Sequence, residues 1–308
     1  PPPKSRSRSR WNKRLSDKNP EKGGYDLSMT LRVSIVTYHT PDEELHNCLG
    51  SMSGCTCIDA IDIIDNSADP RTERFCRSLD DPTVNYIPNG NVGYGAGNNI
   101  SIRESLRKNV DYHLVLNSDV YFTAEELEKC LEYMERHSDT GQLIPHVTYR
   151  DGSYQPVCHR IPTPADLILH RFLPRAIARK WFDNYELRSY DLNRPLNAPY
   201  HHGCFMLLRV SALRETGLFD ERFFMYPEDI DLTRRIHERY KTIYFPGASI
   251  VHDHRAASRK DSRMLKIHAA NMLRYFRKWG FIFDRNRRLA NREFRKELSA
   301  MRRDPGGV

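Results

Sequence analysis

The sequence predicts an α/β protein built on a mostly parallel, doubly wound sheet with a C-terminal helical extension. Three observations carry this expectation. From Leu31 onward, short apolar runs alternate with longer segments of helical periodicity in the order βαβαβαβα. The polar clusters Asp65-Asn66-Ser67, Asn89-Gly90-Asn91 and Asn117-Ser118-Asp119 each follow a predicted strand directly, and ligands of such sheets bind beyond the carboxyl ends of the strands. The chain's 308 residues also suffice for one large domain with a sizeable core.

Residues 1–30 are rich in Pro, Ser, Lys and Arg with almost no apolar pattern, which predicts a disordered basic tail. The folded domain is expected over 31–258. It should begin with a buried strand at 33–37, a helix at 43–53 and strands at 60–64 and 84–87. A helix at 95–108, a strand at 113–116 and a helix at 124–137 continue it, the last opened by Thr123 with Glu126 in capping-box spacing. Regularity is lost over 147–200, a stretch rich in Pro, His, Arg and aromatics that includes Trp181, and mixed helix and loop lining an acceptor site is expected there. Order returns with a strand at 204–209, a short helix from Ser211, an acidic helix from Pro227 to about Tyr240, and strands at 243–245 and 249–252. A helix from about Arg259 to Trp279 opens the extension, 259–308. No internal repeat is visible.

Charge is unevenly divided. The formal net charge is +8, but residues 1–22 and 274–303 together carry +14, so the body between them is mildly acidic. A nucleic-acid enzyme needs a basic groove in its body, which argues against nucleic acid as a partner. The extension interleaves Tyr275, Phe276, Trp279, Phe281 and Phe283 with its cations, a combination suited to a peripheral helix on an anionic membrane or to a solvated capping helix. Hydrophobic residues are 39% of the chain, and no run approaches the roughly 20 apolar residues of a membrane span. The N-terminus has no signal-peptide pattern, so a cytoplasmic location is expected. The seven cysteines are scattered and odd in number, and are read as reduced thiols.

Four motifs carry chemistry. Asn91-Val92-Gly93-Tyr94-Gly95-Ala96-Gly97-Asn98-Asn99 is a glycine-rich turn entering a helix, where free N–H groups favour phosphate or ribose; an ordinary glycine turn is the competing reading. It is not a dinucleotide fingerprint, because its third glycine comes one position early and the turn follows the third strand. Asp119 ends a buried strand and could hold Mg²⁺ or Mn²⁺ together with substrate phosphates, or could be a turn residue. Glu228 and Asp229 follow Phe223-Phe224-Met225-Tyr226-Pro227 at a helix start. The helix dipole favours acids there, but the apolar surround would also raise a carboxylate's basicity and fit it as a general base. His252 closes an apolar run, as a metal ligand or as a hydrogen-bonded structural histidine, with His254 a competing ligand. For His201-His202, solvent-facing and acceptor-binding roles stand equally.

In order, these pieces resemble an inverting family 2 glycosyltransferase with the GT-A fold. The resemblance spans about 31–260 and rests on Val33-Ser34-Ile35-Val36-Thr37-Tyr38, Asp65-Asn66-Ser67, the Asn91 to Asn98 turn and Leu116-Asn117-Ser118-Asp119. It continues through Gly203-x-Phe205-Met206-Leu207-x-Arg209, Gly217-x-Phe219-Asp220-Glu221, Phe223-Phe224-Met225-Tyr226-x-Glu228-Asp229-x-Asp231-Leu232 and Pro246-x-Ala248-x-x-x-His252. It implies that Thr37, Tyr38, Asp65 and Asn66 approach the nucleotide, and that Asn91, Gly93, Tyr94, Gly97, Asn98 and Asn117 contact the nucleotide-sugar. Asp119 and His252 would be the metal side, Asp229 the catalytic base and Glu228 a positioning carboxylate. Asn117 stands where many members have Asp, and Ser118 where the nearest subgroup has Pro; both bear on the tightness of metal binding.

The Asn-x-Asp and Phe-Phe-Met-Tyr-x-Glu-Asp-x-Asp-Leu pattern is similar to bacterial rhamnosyltransferases of O-antigen and cell-wall assembly. That likeness implies dTDP-L-rhamnose as nucleotide-sugar donor and a saccharide or polyprenyl-diphosphate-linked acceptor, with contact at the inner face of the cell membrane. A UDP- or GDP-sugar donor is the alternative within the fold. A metal-dependent phosphoesterase or nuclease built from Asp119, Glu228, Asp229 and His252 is the rival from another class, and it would need a denser carboxylate cluster. The oligomeric state is left open.

Overall fold

The computed structural model describes residues 29–166, 183, 185–253 and 262–301. Most of the expected basic tail, Trp181, His254 and the start of the helix expected from Arg259 lie outside the described residues.

The first half follows the alternation read from the sequence. Strand β1 (Leu31–Thr37) leads to helix α1 (Asp42–Ser51), β2 (Ile58–Asp65), α2 (Pro70–Ser78), β3 (Val84–Pro88), α3 (Tyr94–Lys108) and β4 (Tyr112–Leu116). Helix α2 escapes sequence reading because its only larger apolar side chain is Phe75. What fixes it is local: the Asp69 side chain accepts from Arg71 N–H and Pro70 opens the first turn. After the short β5 (Val120–Tyr121) comes α4 (Ala124–Arg136). Thr123 stands at its N-cap without a side-chain cap bond, and the expected capping box does not form. Glu126 instead accepts from Lys129 at 2.8 Å and from the Ser249 N–H, so it ties the helix to the sheet.

The irregular 147–200 stretch holds more strand than expected. β6 (Thr140–Thr148) runs into it, and β7 (Cys158–His159), β8 (Leu196–Asn197) and β9 (Tyr200–His201) follow, β7 pairing with β9 as a separate ribbon. Then come β10 (Phe205–Arg209), α5 (Val210–Thr216), α6 (Glu228–His237) and β11 (Lys241–His252). Pro227 is the residue before α6 rather than its first helical position, with φ −105°. The two strands expected after α6 are one strand whose register breaks between Phe245 and Ser249. Pro246 lacks the donor a continuous ladder needs there.

The main sheet runs β3-β2-β1-β4-β10-β6-β11-β5, with β8 added on β11. The pairings β2–β3, β1–β2, β1–β4 and β6–β11 are parallel, while β10 is inserted antiparallel between β4 and β6. Both faces are covered, as the alternation of strand side chains shows. Phe205 and Leu207 of β10 belong to the main core, whereas Met206 and Leu208 meet Ile102, Leu213, Phe219, Leu232 and Ile236 of α3, α5, α6 and the segment between α5 and α6.

Two C-terminal helices, α7 (Ser262–Trp279) and α8 (Arg285–Ser299), complete the chain. Tyr275 and Phe276 are buried against Phe223, Ile230 and Tyr200, with Trp279 packed on the same cluster. Phe294, Leu298 and Met301 enter the main core. Three of the five aromatic residues expected to face a membrane therefore face the protein, and Phe281 and Phe283 alone are exposed. Among the described residues no helix is long and apolar enough to cross a membrane.

Candidate active site

The ends of β1, β2 and β4, the start of α3 and the start of α6 converge on one edge of the sheet. At the exit of β2, Asp65 is fully buried. One of its oxygens accepts from Ser67 N–H, Ser67 Oγ and Thr37 Oγ1, the other from Asp69 N–H and Tyr86 Oη. Burial alone would raise this carboxyl, but these donors outweigh it and hold it below its usual value. Asp65 and Thr37 thus shape the loop with groups that are already engaged. Asn66 does the same by donating to Gly93 O at 3.1 Å. Tyr38, 58% exposed, stands open at the mouth, and so does Asn91.

The glycine turn divides its duties. Gly93 has φ +94°, and a Cβ there would lie 2.1 Å from Phe224 O. Tyr94 N–H donates to that same oxygen at 2.9 Å, which binds the α3 start to the segment leading into α6. Gly95 and Gly97 are packing glycines, since a Cβ would meet Phe219 Cβ at 2.9 Å and Val36 Cγ2 at 3.0 Å. Asn98 is buried, accepts from Ser34 Oγ at 2.6 Å and donates to Tyr94 O at 3.1 Å. Its amide braces the turn from within.

Tyr94 is the hub. Its hydroxyl donates to Gly203 O at 2.7 Å and lies 2.9 Å from the Asn117 carboxamide. Asn117 N–H donates to Cys204 O at 2.9 Å, so the end of β4 is fixed beside the start of β10. Ser118 Oγ donates to Glu44 at 2.6 Å. Asp119, 21% exposed at its side chain, lies with Oδ1 3.2 Å from His252 Nε2. The other ring nitrogen of His252 is 3.0 Å from Gln155 Nε2. Burial disfavours the imidazolium, but the Cys204 sulfur and the Asp119 carboxylate outweigh it and push His252 up to about 10. An imidazole beside a carboxylate, oriented through its far nitrogen, is a donor set suited to a divalent cation. No group of three His, Cys, Asp or Glu side chains gathers for a metal among the described residues, so substrate and water oxygens would have to complete a coordination shell. The denser cluster that a phosphoesterase requires is not formed there.

On the opposite side, Asp229 accepts from Gly203 N–H at 3.2 Å and from Ile230 N–H at 2.8 Å. Burial raises its carboxyl to about 6 against the pull of those donors. Glu228 is more deeply enclosed: burial first, and the neighbouring Asp229 charge second, hold it well above the usual carboxylate range. Its Oε2 has no hydrogen-bond partner among the described residues. The two acids are thus chemically distinct, Asp229 near the operating range of a base and Glu228 held above it by deeper burial.

Of the histidines left open, His201 is buried in β9, 3.3 Å from Gln142 Nε2, and burial lowers it to about 3; it is a core residue. His202 joins His159, Tyr185 and Tyr200 in an aromatic group beside the α6 start. Gly203, Cys204 and Gln155 are positioning groups that sequence reading did not assign. For Gly203 a signal existed, in the Gly203-x-Phe205 motif, whereas Gln155 offers none.

The profile of glycosyl transferase family 2 matches residues 33–217. The chain belongs to this family. The match covers the strand-end loops, the glycine turn and Asp119, and stops before Glu228 and Asp229. Among curated relatives, the N-acetylglucosaminyl-diphospho-decaprenol L-rhamnosyltransferase of Mycobacterium tuberculosis is 30% identical over 248 residues, covering 75% of this chain and 78% of the relative. Rhamnosyltransferase WbbL of Escherichia coli is 24% identical, over 66% of this chain and 77% of WbbL. Among solved structures, GalNAc-T7 with UDP, GalNAc and Mn²⁺ superposes with a TM-score of 0.53 at 14% identity, over 73% of this chain and 44% of that one. This family 2 enzyme is a glycosyltransferase with the GT-A fold.

Proposed function

We propose that this glycosyltransferase moves L-rhamnose from dTDP-L-rhamnose, with inversion, to a saccharide or polyprenyl-diphosphate-linked acceptor in surface polysaccharide assembly. The observation that carries the reading is Asp229: a carboxylate at the α6 start, raised to about 6 and aimed by the Gly203 N–H. Inverting transfer needs one base on the acceptor side, and a group with that affinity is largely deprotonated at neutral pH yet basic enough to take a hydroxyl proton. Glu228, held above that affinity by deeper burial, positions acceptor or sugar. Tyr38, Asn91 and Asn117 face the donor, while Thr37, Asp65, Asn66, Gly93, Tyr94, Gly97 and Asn98 hold the surfaces on which it rests. The names of the M. tuberculosis and E. coli relatives support rhamnose, and the first supports a lipid-diphosphate acceptor. Such an acceptor places the enzyme in the cytoplasm, peripheral to the inner face of the membrane.

Asp119 and His252 would hold Mg²⁺ or Mn²⁺, with the imidazole binding in its neutral form. The cation would offset charge developing on the departing diphosphate. Imidazole is a better ligand for Mn²⁺ than for Mg²⁺.

A thermal-shift panel of dTDP-rhamnose, UDP-sugars and GDP-sugars, each with and without Mg²⁺ or Mn²⁺, tests the reading. Cation-dependent stabilisation by dTDP-rhamnose is expected, and weakened by Asp119→Ala. A larger shift with UDP- or GDP-sugars would reassign the donor. No cation-dependent stabilisation by any nucleotide-sugar would overturn the proposal.

A further inference from the structure

We propose that the turn between α7 and α8 is a wedge that seats the enzyme on an anionic lipid surface, a deepening of the lipid-linked-acceptor reading on which it rests. The sequence places three apolar residues in succession, Phe281-Ile282-Phe283, between two polar helices. Ile282 is 74% exposed and Phe283 85%, and Leu273, Phe281 and Leu289 are exposed with them. Large apolar side chains left in water forfeit the free energy that burial would return, and a group of them marks an interaction surface.

The exposure does not come from a slack turn. Gly280 N–H donates to Phe276 O at 2.8 Å. Gly280 has φ +96°, and a Cβ there would lie 2.8 Å from Phe283 O. Arg287 donates to the carbonyls of Gly280 at 3.4 Å and Phe281 at 2.9 Å. Asp284 closes the turn by accepting from Arg287 N–H and from both arms of the buried Arg234, at 2.7 and 2.6 Å. The backbone is held from both sides while the side chains project outward.

Charge selects the occupant. Several exposed arginines elsewhere pair with acids, among them Arg77–Glu73, Arg103–Glu221, Arg107–Glu104 and Arg136–Glu132, whereas Arg74, Arg194 and Arg214 are scattered singly without one among the described residues. Around the wedge, the exposed Arg277, Arg285, Arg288 and Arg292 have no acidic partner among the described residues. Arg277 stands four residues from Leu273 on the exposed face of α7, and Phe281 follows just beyond the helix end. Unpaired guanidiniums beside an apolar tip match anionic headgroups over acyl chains, with each cation near such a surface contributing about a fivefold factor in binding. The wedge is also coupled to the chemistry. Trp279 Nε1 and Lys278 Nζ reach Asp231 of α6 at 2.8 and 2.7 Å, and Arg234 of α6 holds Asp284. The helix that carries Asp229 in its first turn is thereby fixed relative to the lipid surface.

The test is co-sedimentation of the full chain, without donor or acceptor, with vesicles of phosphatidylcholine alone or mixed with phosphatidylglycerol. The wild type is expected to sediment with the anionic vesicles and to be released by salt. Ile282→Ser/Phe283→Ser and, separately, Arg285→Glu/Arg288→Glu should each lower partitioning about tenfold or more, with transfer to a water-soluble saccharide acceptor unchanged. Absence of phosphatidylglycerol-dependent sedimentation, or variants that bind as well as the wild type, would overturn the wedge. So would light scattering that shows a dimer converted to a monomer by Ile282→Ser/Phe283→Ser, which would give this face to a second copy. Failure of rhamnose transfer alongside intact vesicle binding would count against the donor assignment and leave the wedge standing.

Discussion

Gly203 donates its backbone N–H to Asp229 Oδ2 at 3.2 Å, while its own carbonyl accepts from Tyr94 Oη at 2.7 Å. Because Tyr94 also meets Asn117, the backbone of one residue joins the Asp229 carboxylate to the β4 end that leads to Asp119. The placement of Asp229 relative to the Asp119 loop is therefore set by backbone and the Tyr94 phenol rather than by flexible side chains.

Asp229→Asn keeps the shape of the site and removes the base. Transfer should fall by about 10²–10⁴-fold, the usual contribution of a positioned general base. Donor-induced thermal stabilisation should be retained. Turnover close to wild type in a sugar-transfer assay would remove Asp229 from the base role.

The raised Asp229 affinity sets a pH profile. Only the deprotonated form can accept a proton, so kcat/KM should fall about tenfold per unit as pH drops below about 6. Stability runs the other way. A carboxyl raised from its unfolded value near 4 to about 6 binds its proton more tightly in the folded state, so its contribution is lost as pH rises through that window. Asp229→Asn should flatten that part of the stability curve in urea titrations. An unchanged slope would contradict the assignment.

The glycine turn yields a matched pair. Gly93 and Gly152 both have positive φ, +94° and +77°, so alanine is strained at either. A Cβ at Gly152 meets nothing within 4 Å, whereas at Gly93 it meets Phe224 O at 2.1 Å. Gly152→Ala should cost about 1 kcal/mol. Gly93→Ala should cost more than about 2 kcal/mol and weaken transfer, because it drives apart the α3 and α6 starts. Equal losses in chemical denaturation would mean that the close approach has no energetic weight.

Legibility followed locality. The β1–β4 alternation was readable because buried parallel strands are near-continuous apolar runs, and the Asp119, Asp229 and His252 positions because each stands at or beside the end of an element. Helix α2 and the β7–β9 ribbon were not readable: one is nine residues long with a single large apolar side chain and depends on its cap, and the other is only two residue pairs. Asn98 and Asp65 have bracing partners that the sequence does not reveal, for a shared reason. A polar residue after a strand can serve a ligand or brace a loop, and only the partners of its own atoms decide which. Trp279 and Tyr275 followed the same logic in reverse, since aromatics among cations read as a membrane face until Arg234 and Asp231 are seen behind them.

The buried pair behind α6 supplies the last test. Arg234 and Asp284 are almost wholly enclosed, bonded through both guanidinium arms, and the guanidinium lies 3.8 Å from the centroid of the Trp279 ring. Removing one partner strands the other charge away from water, so Asp284→Ala should destabilise by about 3–5 kcal/mol. Glu73→Ala, which breaks the exposed pair with Arg77, should cost no more than about 1 kcal/mol. The comparison matters for function because α7 and α8 reach the α6 helix through this pair and the Asp231 contacts. If Asp284→Ala unfolded no more easily than Glu73→Ala, the C-terminal helices could not be the rigid support that holds Asp229 in place.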